Sequence, residues 1–194
     1  MNLRFAFLAL LAATAAMTAT SAYAAPHTQT GPIFRGNGGE TLPPFSVSAP
    51  STLFWTNNGD IFQIFPSGSG SAGSVNAQSS KGWTYLPNGR YLLQINAVGD
   101  WTVKVVAGIV RPQRAKNGWL EYVGNGGMEL PPFSAPRSET LYWAATGDIF
   151  QIFSGGFTGV EVNSQAHKGS TYMKRGVQQL QINTTGSWVI LWQP

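Results

Sequence analysis

The most constraining feature of this sequence is an internal repeat. The segment GNGGETLPPF at 36–45 returns as GNGGMELPPF at 124–133, and NGDIFQIF at 58–65 returns as TGDIFQIF at 146–153. Over the two blocks that align without gaps, 34 of 64 positions are identical. The period of 88 and then 87 residues is longer than that of common solenoid repeats. Each copy is therefore predicted to be a small domain rather than one supersecondary unit.

The repeat predicts the domain boundaries. The first copy is placed at 31–106, a linker at 107–117 and the second copy at 118–194. Whether the two copies pack against each other, and how many chains associate, stay open at this stage.

The N-terminus has the pattern of a secretory signal peptide over residues 1–24. Arg4 makes its start positive, 5–17 is an apolar run, and Ala22-Tyr23-Ala24 is a cleavage motif with small residues. The alternative is a membrane anchor, but the run is short for a span of about 20 residues. We therefore expect a secreted, extracellular protein with no transmembrane segment after cleavage.

Composition excludes several classes of protein. The chain has no cysteine, so it carries neither a disulfide framework nor a lipidated cysteine, and packing alone must hold it. A secreted chain of this kind is expected to be bacterial. It has 12 basic and 8 acidic side chains, and its net charge of +4 comes without a long basic tract. Nucleic-acid binding, which needs a basic patch or stripe, is not expected.

Apolar residues alternate in short runs bounded by Gly, Pro, Asn and Ser, which is typical of β-strands. Two hairpins are predicted, one around the turn at 57–60 and one around the turn at 98–100. Each copy then holds seven or eight short strands. The predicted fold is all-β, with two tandem antiparallel β-sandwich (jelly-roll-like) domains.

The alternation also assigns a face to each residue. The predicted core positions are the apolar ones kept in both copies: Trp55, Phe62, Ile64, Leu93, Ile95, Trp101 and Val103, with Trp143, Phe150, Ile152, Leu180, Ile182, Trp188 and Ile190. The opposite face carries uncharged amides that also return: Gln63, Asn76, Gln78, Gln94 and Asn96, with Gln151, Asn163, Gln165, Gln181 and Asn183.

The amides have two interpretations. They form either a hydrated outer face, bonded across strands, or a neutral polar binding surface. Neutral sugars suit the second, because amides supply donors and acceptors and aromatic rings supply a flat apolar platform. Aromatic candidates expected outside the core are Trp83, Tyr85, Tyr91, Trp119 and Tyr172. The candidate ligand-binding residues are Gln63, Gln94, Asn96, Tyr85, Trp83, Gln151, Gln181, Asn183 and Tyr172.

Charged residues do not form a recognisable catalytic set. Asp60/Asp148 and Lys81/Lys168 are the charged residues identical in both copies, and each Asp follows a turn glycine, where its side chain can bond local backbone. The two histidines lack the neighbours of a catalytic triad or a zinc site. We expect no enzymatic activity, no metal site and no cofactor.

The succession of GxGG, PF, LxW, GDIFQIF and LQIN…GxW resembles small β-sandwich repeats of secreted bacterial proteins of unassigned function. The resemblance covers both copies and implies a fold, with no catalytic or ligand residues. The expected function is a secreted, non-catalytic binding module, with neutral glycan at the cell surface or in the matrix as the ligand class. The alternative is a structural or assembly protein of the extracellular envelope or matrix.

Overall fold

The computed structural model describes residues 30–67, 74–154 and 160–194, and these ranges are all-β. Within them we find no helix long and apolar enough to cross a membrane. The strands of the first copy are β1 (Thr30–Asn37), β2 (Glu40–Thr41), β3 (Phe45–Val47), β4 (Ser51–Asn57), β5 (Phe62–Ser67), β6 (Val75–Ala77), β7 (Lys81–Leu86), β8 (Gly89–Ala97) and β9 (Asp100–Ala107).

The strands of the linker and the second copy follow. They are β10 (Gln113–Arg114), β11 (Leu120–Asn125), β12 (Met128–Glu129), β13 (Phe133–Ala135), β14 (Glu139–Ala145), β15 (Phe150–Ser154), β16 (Val162–Ser164), β17 (Lys168–Met173), β18 (Gly176–Gln178), β19 (Leu180–Asn183) and β20 (Ser187–Trp192). The predicted signal peptide at 1–24 lies outside the described residues.

Both copies build two antiparallel sheets with the same strand order. In the first copy the orders are β1-β9-β4-β7 and β2-β8-β5-β6, with β3 also pairing with β8. In the second copy they are β11-β20-β14-β17 and β12-β19-β15-β16. The copies differ in two ways. β10 pairs with β11 and extends that edge of its sheet. The segment equivalent to β8 is divided into two strands, β18, which pairs with β13, and β19, which pairs with β12 and β15. The 107–117 segment, predicted to be a linker, therefore supplies a strand to the second copy.

The two predicted hairpins are wrong. β4 pairs with β7 and β9, whereas β5 pairs with β6 and β8, so the turn at 58–61 passes from one sheet to the other. The turn between β8 and β9 also crosses between the sheets. The glycines are needed because these two connections touch: a Cβ on Gly59 would overlap the Val98 carbonyl. A backbone bond from the Val98 N–H to the Ile61 carbonyl, 3.1 Å, joins them.

The apolar core lies between the two sheets of each copy, and every predicted core position is confirmed as buried. In each copy a tryptophan ring lies against a glycine of the neighbouring strand. Trp55 lies over Gly82, and Trp143 over Gly169, with which it is directly paired. A Cβ on either glycine would lie 2.5–2.6 Å from the Cζ2 atom of the ring, so a side chain there would displace the ring.

The copies also pack against each other. Trp83, on β7 of the first copy, belongs to the buried apolar cluster of the second copy, and Phe54 packs against the same cluster. The Glu129 backbone N–H donates to the Thr84 hydroxyl at 3.1 Å. Asn76 on β6 and Gly127 next to β12 exchange backbone hydrogen bonds of 2.7 and 3.4 Å. One sheet of each copy therefore meets the other edge to edge.

Candidate functional site

The outward amides of the first copy form a hydrogen-bonded row across three strands. Gln63 on β5 lies directly opposite Asn96 on β8 and Asn76 on β6. The Asn96 side-chain N–H donates to Gln63 Oε1 at 2.7 Å, and Gln63 Nε2 donates to Asn76 Oδ1 at 3.1 Å. Both the carbonyl oxygen and the NH2 group of the Gln63 side chain are therefore hydrogen-bonded within the row.

The second copy repeats the same row. Asn183 Nδ2 donates to Gln151 Oε1 at 2.7 Å, and Gln151 Nε2 donates to Asn163 Oδ1 at 3.2 Å. The strands are the corresponding ones, β19, β15 and β16. The amides kept in both copies thus have a shared structural role, which is to bond side chain to side chain across the strands.

The two rows join at the contact between the copies. Asn76 Nδ2 donates to Asn183 Oδ1 at 3.4 Å, across the position of Gly127. Gly127 has no side chain to separate the two amides. Six amides then follow one another in a single direction, each donating to the next: Asn96, Gln63, Asn76, Asn183, Gln151 and Asn163. Such a chain fixes the orientation of its members.

A shallow open groove of about 410 Å³ lies beside one end of this row, at the β2 edge of the first copy. Its lining is polar, with one exposed aromatic ring. The lining residues are Gly39, Glu40, Thr41, Phe65, Gln94, Ile95 and Asn96. Of the predicted ligand-binding residues, the structure brings Gln94 and Asn96 into the groove and places Gln63 next to Asn96.

Phe65, which was not among the predicted ligand-binding residues, is the aromatic residue of this surface. Phe65 lies directly opposite Gln94 and is 47% exposed. In the second copy Phe153 lies opposite Gln181 and is 45% exposed. The signal was present in the alternation, because Gln63 and Phe65 are two residues apart and must share a face.

The expectation that Trp83 and Tyr85 lie outside the core is wrong. Their relative exposures are 1% and 7%, because the second copy covers the outer side of β7. Burial is also the main cause that raises the pKa of Tyr85, with the negative charge of Glu129 adding to it. Tyr91, another aromatic expected outside the core, is buried in the cluster of the first copy.

The remaining predicted residues divide between two sheets. Gln151, Gln181 and Asn183 lie on β15 and β19, on the same sheet face as Phe153. Tyr172 is exposed, but it lies on β17, the outermost strand of the other sheet. The structure therefore does not bring Tyr172 together with the amides of its own copy.

The groove contains one titratable side chain, Glu40, whose position in the second copy is taken by Met128. In 30–67, 74–154 and 160–194, no three His, Cys, Asp or Glu side chains come together in a group that could hold a metal ion. The chemistry offered by the groove is thus amide hydrogen bonding, one carboxylate and one aromatic face.

Comparison with known proteins gives only remote likenesses. No family model and no curated protein matches the chain. Among solved structures it is similar to a cupin 2 conserved barrel domain protein from Leptotrichia buccalis, with 12% identity over 83% of this chain and 81% of that chain and a TM-score of 0.30. AerE from Microcystis aeruginosa shows 8% identity over 82% and 84%, with a TM-score of 0.28. A223, a turret protein of Sulfolobus turreted icosahedral virus, shows 15% identity over 85% and 97%, also with a TM-score of 0.28. TM-scores this low assign neither a family nor an activity.

Proposed function

We propose that this chain is a secreted, non-catalytic binding module of two tandem sandwich units that takes a neutral glycan in the groove of its first copy. The observation that carries the proposal is the repeated outward surface. In both copies an exposed Phe lies beside a Gln, and the neighbouring cross-strand pair is Gln–Asn. In the first copy this surface lines an open groove.

The groove suits a neutral, hydroxyl-rich ligand. Gln94 and Asn96 carry amides that offer both donors and acceptors, which sugar hydroxyls require. Phe65 offers a ring face for the apolar side of a sugar. The groove, of about 410 Å³, is shallow and open. Its openness suits one or two residues of a longer chain, bound from the side.

The same lining supports binding without catalysis. Glycoside hydrolysis ordinarily uses a pair of carboxyl groups on opposite sides of the bond that breaks. The groove has a single carboxyl group, that of Glu40. One carboxylate can accept hydrogen bonds from sugar hydroxyls but does not make that pair.

The test is to screen the purified protein against an array of neutral and charged glycans and to confirm hits by calorimetry. We expect weak, saturable binding to neutral oligosaccharides, with a one-to-one stoichiometry because the equivalent edge of the second copy lies against β6 of the first. Failure to bind any neutral glycan at millimolar ligand would contradict the proposal, and so would a preference for charged glycans.

A second function, assembly within an extracellular envelope or matrix, is favoured by a different observation. The copies of one chain join edge to edge through Asn76 and Gly127. The equivalent edge strands at the two outer sides of the chain are therefore suited to pairing with another strand edge. The test is cosedimentation of the protein with isolated envelope and matrix fractions. Recovery in the soluble fraction alone would contradict this function.

A further inference from the structure

The contact between the two copies uses different edges of each one. The first copy contributes β6 and β7, the outermost strands on one side of its two sheets. The second copy contributes β11 and β12 on the opposite side of its sheets, where β10 pairs with one end of β11. The interface is therefore head to tail, since two different surfaces meet.

Each surface of this interface has an equivalent elsewhere in the chain, because the copies share their strand order. The equivalents of β6 and β7 are β16 and β17, outermost in the second copy, with Asn163 in the place of Asn76. The equivalents of β11 and β12 are β1 and β2, outermost in the first copy, with Gly39 in the place of Gly127.

Burial differs between the used and the unused surfaces. Tyr85, on the used β7 edge, is 7% exposed, whereas its equivalent Tyr172 is 58% exposed. Tyr122, on the receiving edge, is 2% exposed, whereas its equivalent Phe34 is only partly buried. Among the residues that the structure describes, the two unused surfaces thus leave Tyr172 exposed and Phe34 partly buried, at positions where the internal contact buries both aromatic side chains.

We propose that a second copy of this chain docks on these two free edges, with β16 and β17 of one chain against β1 and β2 of the next. Asn163 then exchanges backbone hydrogen bonds with Gly39, as Asn76 does with Gly127. The Asn163 side chain reaches Asn96 of the next chain, so the amide row continues from chain to chain. A head-to-tail contact of this type repeats into a ring or a filament.

The contact between chains is weaker than the one within the chain, because one large side chain is missing. Trp83, which fills the cluster of the second copy, is replaced at the equivalent position by Ser170 on β17. Buried tryptophans are among the residues that contribute most to interfaces. Because this contact joins separate chains, the association depends on concentration, and Ser170→Trp is expected to strengthen it.

The experiment is sedimentation velocity of the purified protein from micromolar to millimolar concentration, with two variants and a control. For the parent we expect a mass that rises with concentration. Ser170→Trp is expected to move the association to concentrations lower by about tenfold or more. Lys116→Trp is the control, since it adds the same indole to the exposed turn at 115–118 and is expected to behave as the parent.

Gly39→Val tests the receiving edge. A Cβ on Gly39 is 3.5 Å from the Ile95 carbonyl, an ordinary contact, so the free chain accepts a side chain there. At the equivalent Gly127, a Cβ would lie 3.2 Å from the Asn76 carbonyl across the interface. We therefore expect Gly39→Val to melt like the parent and to weaken association by about tenfold or more.

Two results would overturn the inference. One is a parent that keeps its monomer mass over the whole range. The other is an association that neither Ser170→Trp nor Gly39→Val alters. The inference rests on the second proposed function, but the two fail separately: a monomeric chain that still cosediments with envelope fractions retains an assembly function with a different partner. Glycan binding is measured on dilute monomer, because Gly39 and Asn96 also line the proposed glycan groove and a docked chain would cover it.

Discussion

Trp83 and Tyr122 belong to different copies of the repeat, yet their ring centroids lie 6.2 Å apart in one buried cluster. Trp83 projects from the outer side of β7, on the first copy, and Tyr122 from the inner side of β11, on the second. The second copy therefore completes its core with a side chain from the first. The two copies are expected to unfold together rather than as independent domains.

Trp83→Ala is predicted to destabilise the protein by about 3–5 kcal/mol, because it leaves a cavity in a packed aromatic cluster. Urea unfolding followed by circular dichroism measures this, and the parent should show a single transition. Ser170→Ala, at the equivalent exposed position, serves as the control and should stay within about 0.5 kcal/mol of the parent. A Trp83→Ala variant as stable as the parent would show that the copies do not share a core.

Gly169→Ala is predicted to cost about 1–3 kcal/mol, because the added methyl would enter the space of the Trp143 ring. Thermal unfolding gives the comparison with Gly39→Ala, which places the same methyl in ordinary contact and should melt close to the parent. Equal melting temperatures for the two variants would mean that the tryptophan does not lie over the glycine.

The stability of the protein is predicted to fall at alkaline pH. Burial, with smaller contributions from Glu129 and Tyr85, raises the pKa of Tyr91 to about 12. The unfolded chain releases this proton near pH 10, so the folded state binds more protons above that pH. The contribution is present below about pH 10 and is lost as pH rises toward the folded pKa. Burial raises the pKa of Tyr122 as well, which acts in the same direction.

Tyr91→Phe tests this prediction. It removes the hydroxyl that donates to the Pro87 carbonyl at 2.6 Å and should cost about 1 kcal/mol at neutral pH. The variant should also lose less stability than the parent between neutral pH and pH 12. Urea unfolding at several pH values measures both effects, with Tyr172→Phe, at an exposed position, as the control. An unchanged alkaline loss in Tyr91→Phe would contradict the assignment.

Phe65→Ala is predicted to weaken glycan binding by about tenfold, the effect of losing one ring contact of roughly 1.4 kcal/mol. Phe153→Ala makes the same change in the second copy, whose equivalent edge is covered by β6 of the first, and should leave the affinity near that of the parent. Calorimetry with the best neutral oligosaccharide from the array measures both. If Phe153→Ala has the larger effect, the groove of the first copy is not the site.

The core was predictable from the sequence because alternation depends only on the geometry of a single strand. Ile95, Trp101 and Ile182 alternate with polar neighbours and are buried as expected. The hairpins were not predictable in the same way. Asn58-Gly59 is typical of a tight hairpin turn, but Gly59 does not adopt a positive φ. This glycine is needed because its connection touches Val98 in the other connection between the sheets, a contact that the local sequence does not reveal.

Some residues of the candidate site could likewise be placed from the sequence, and others could not. Gln94 and Asn96 were placed on an outward face by alternation, and the same rule applied to Phe65 adds the aromatic ring. Trp83 and Tyr85 follow an equally regular pattern, with one side of β7 facing its own core and the other facing outward. That outward side is buried because a separate part of the chain packs on it.

The sequence by itself determined the all-β class, the duplicated strand pattern, the core and the uncharged amide face, since each is a property of local periodicity repeated in both copies. Only the tertiary structure decided which strands pair, how the amides connect into one row, and which of two equivalent edges is covered. These depend on contacts between residues such as Asn76 and Asn183, 107 positions apart in the chain. The two copies share about half of their aligned residues and the same strand order, so their different surroundings arise from the position of each copy in the chain.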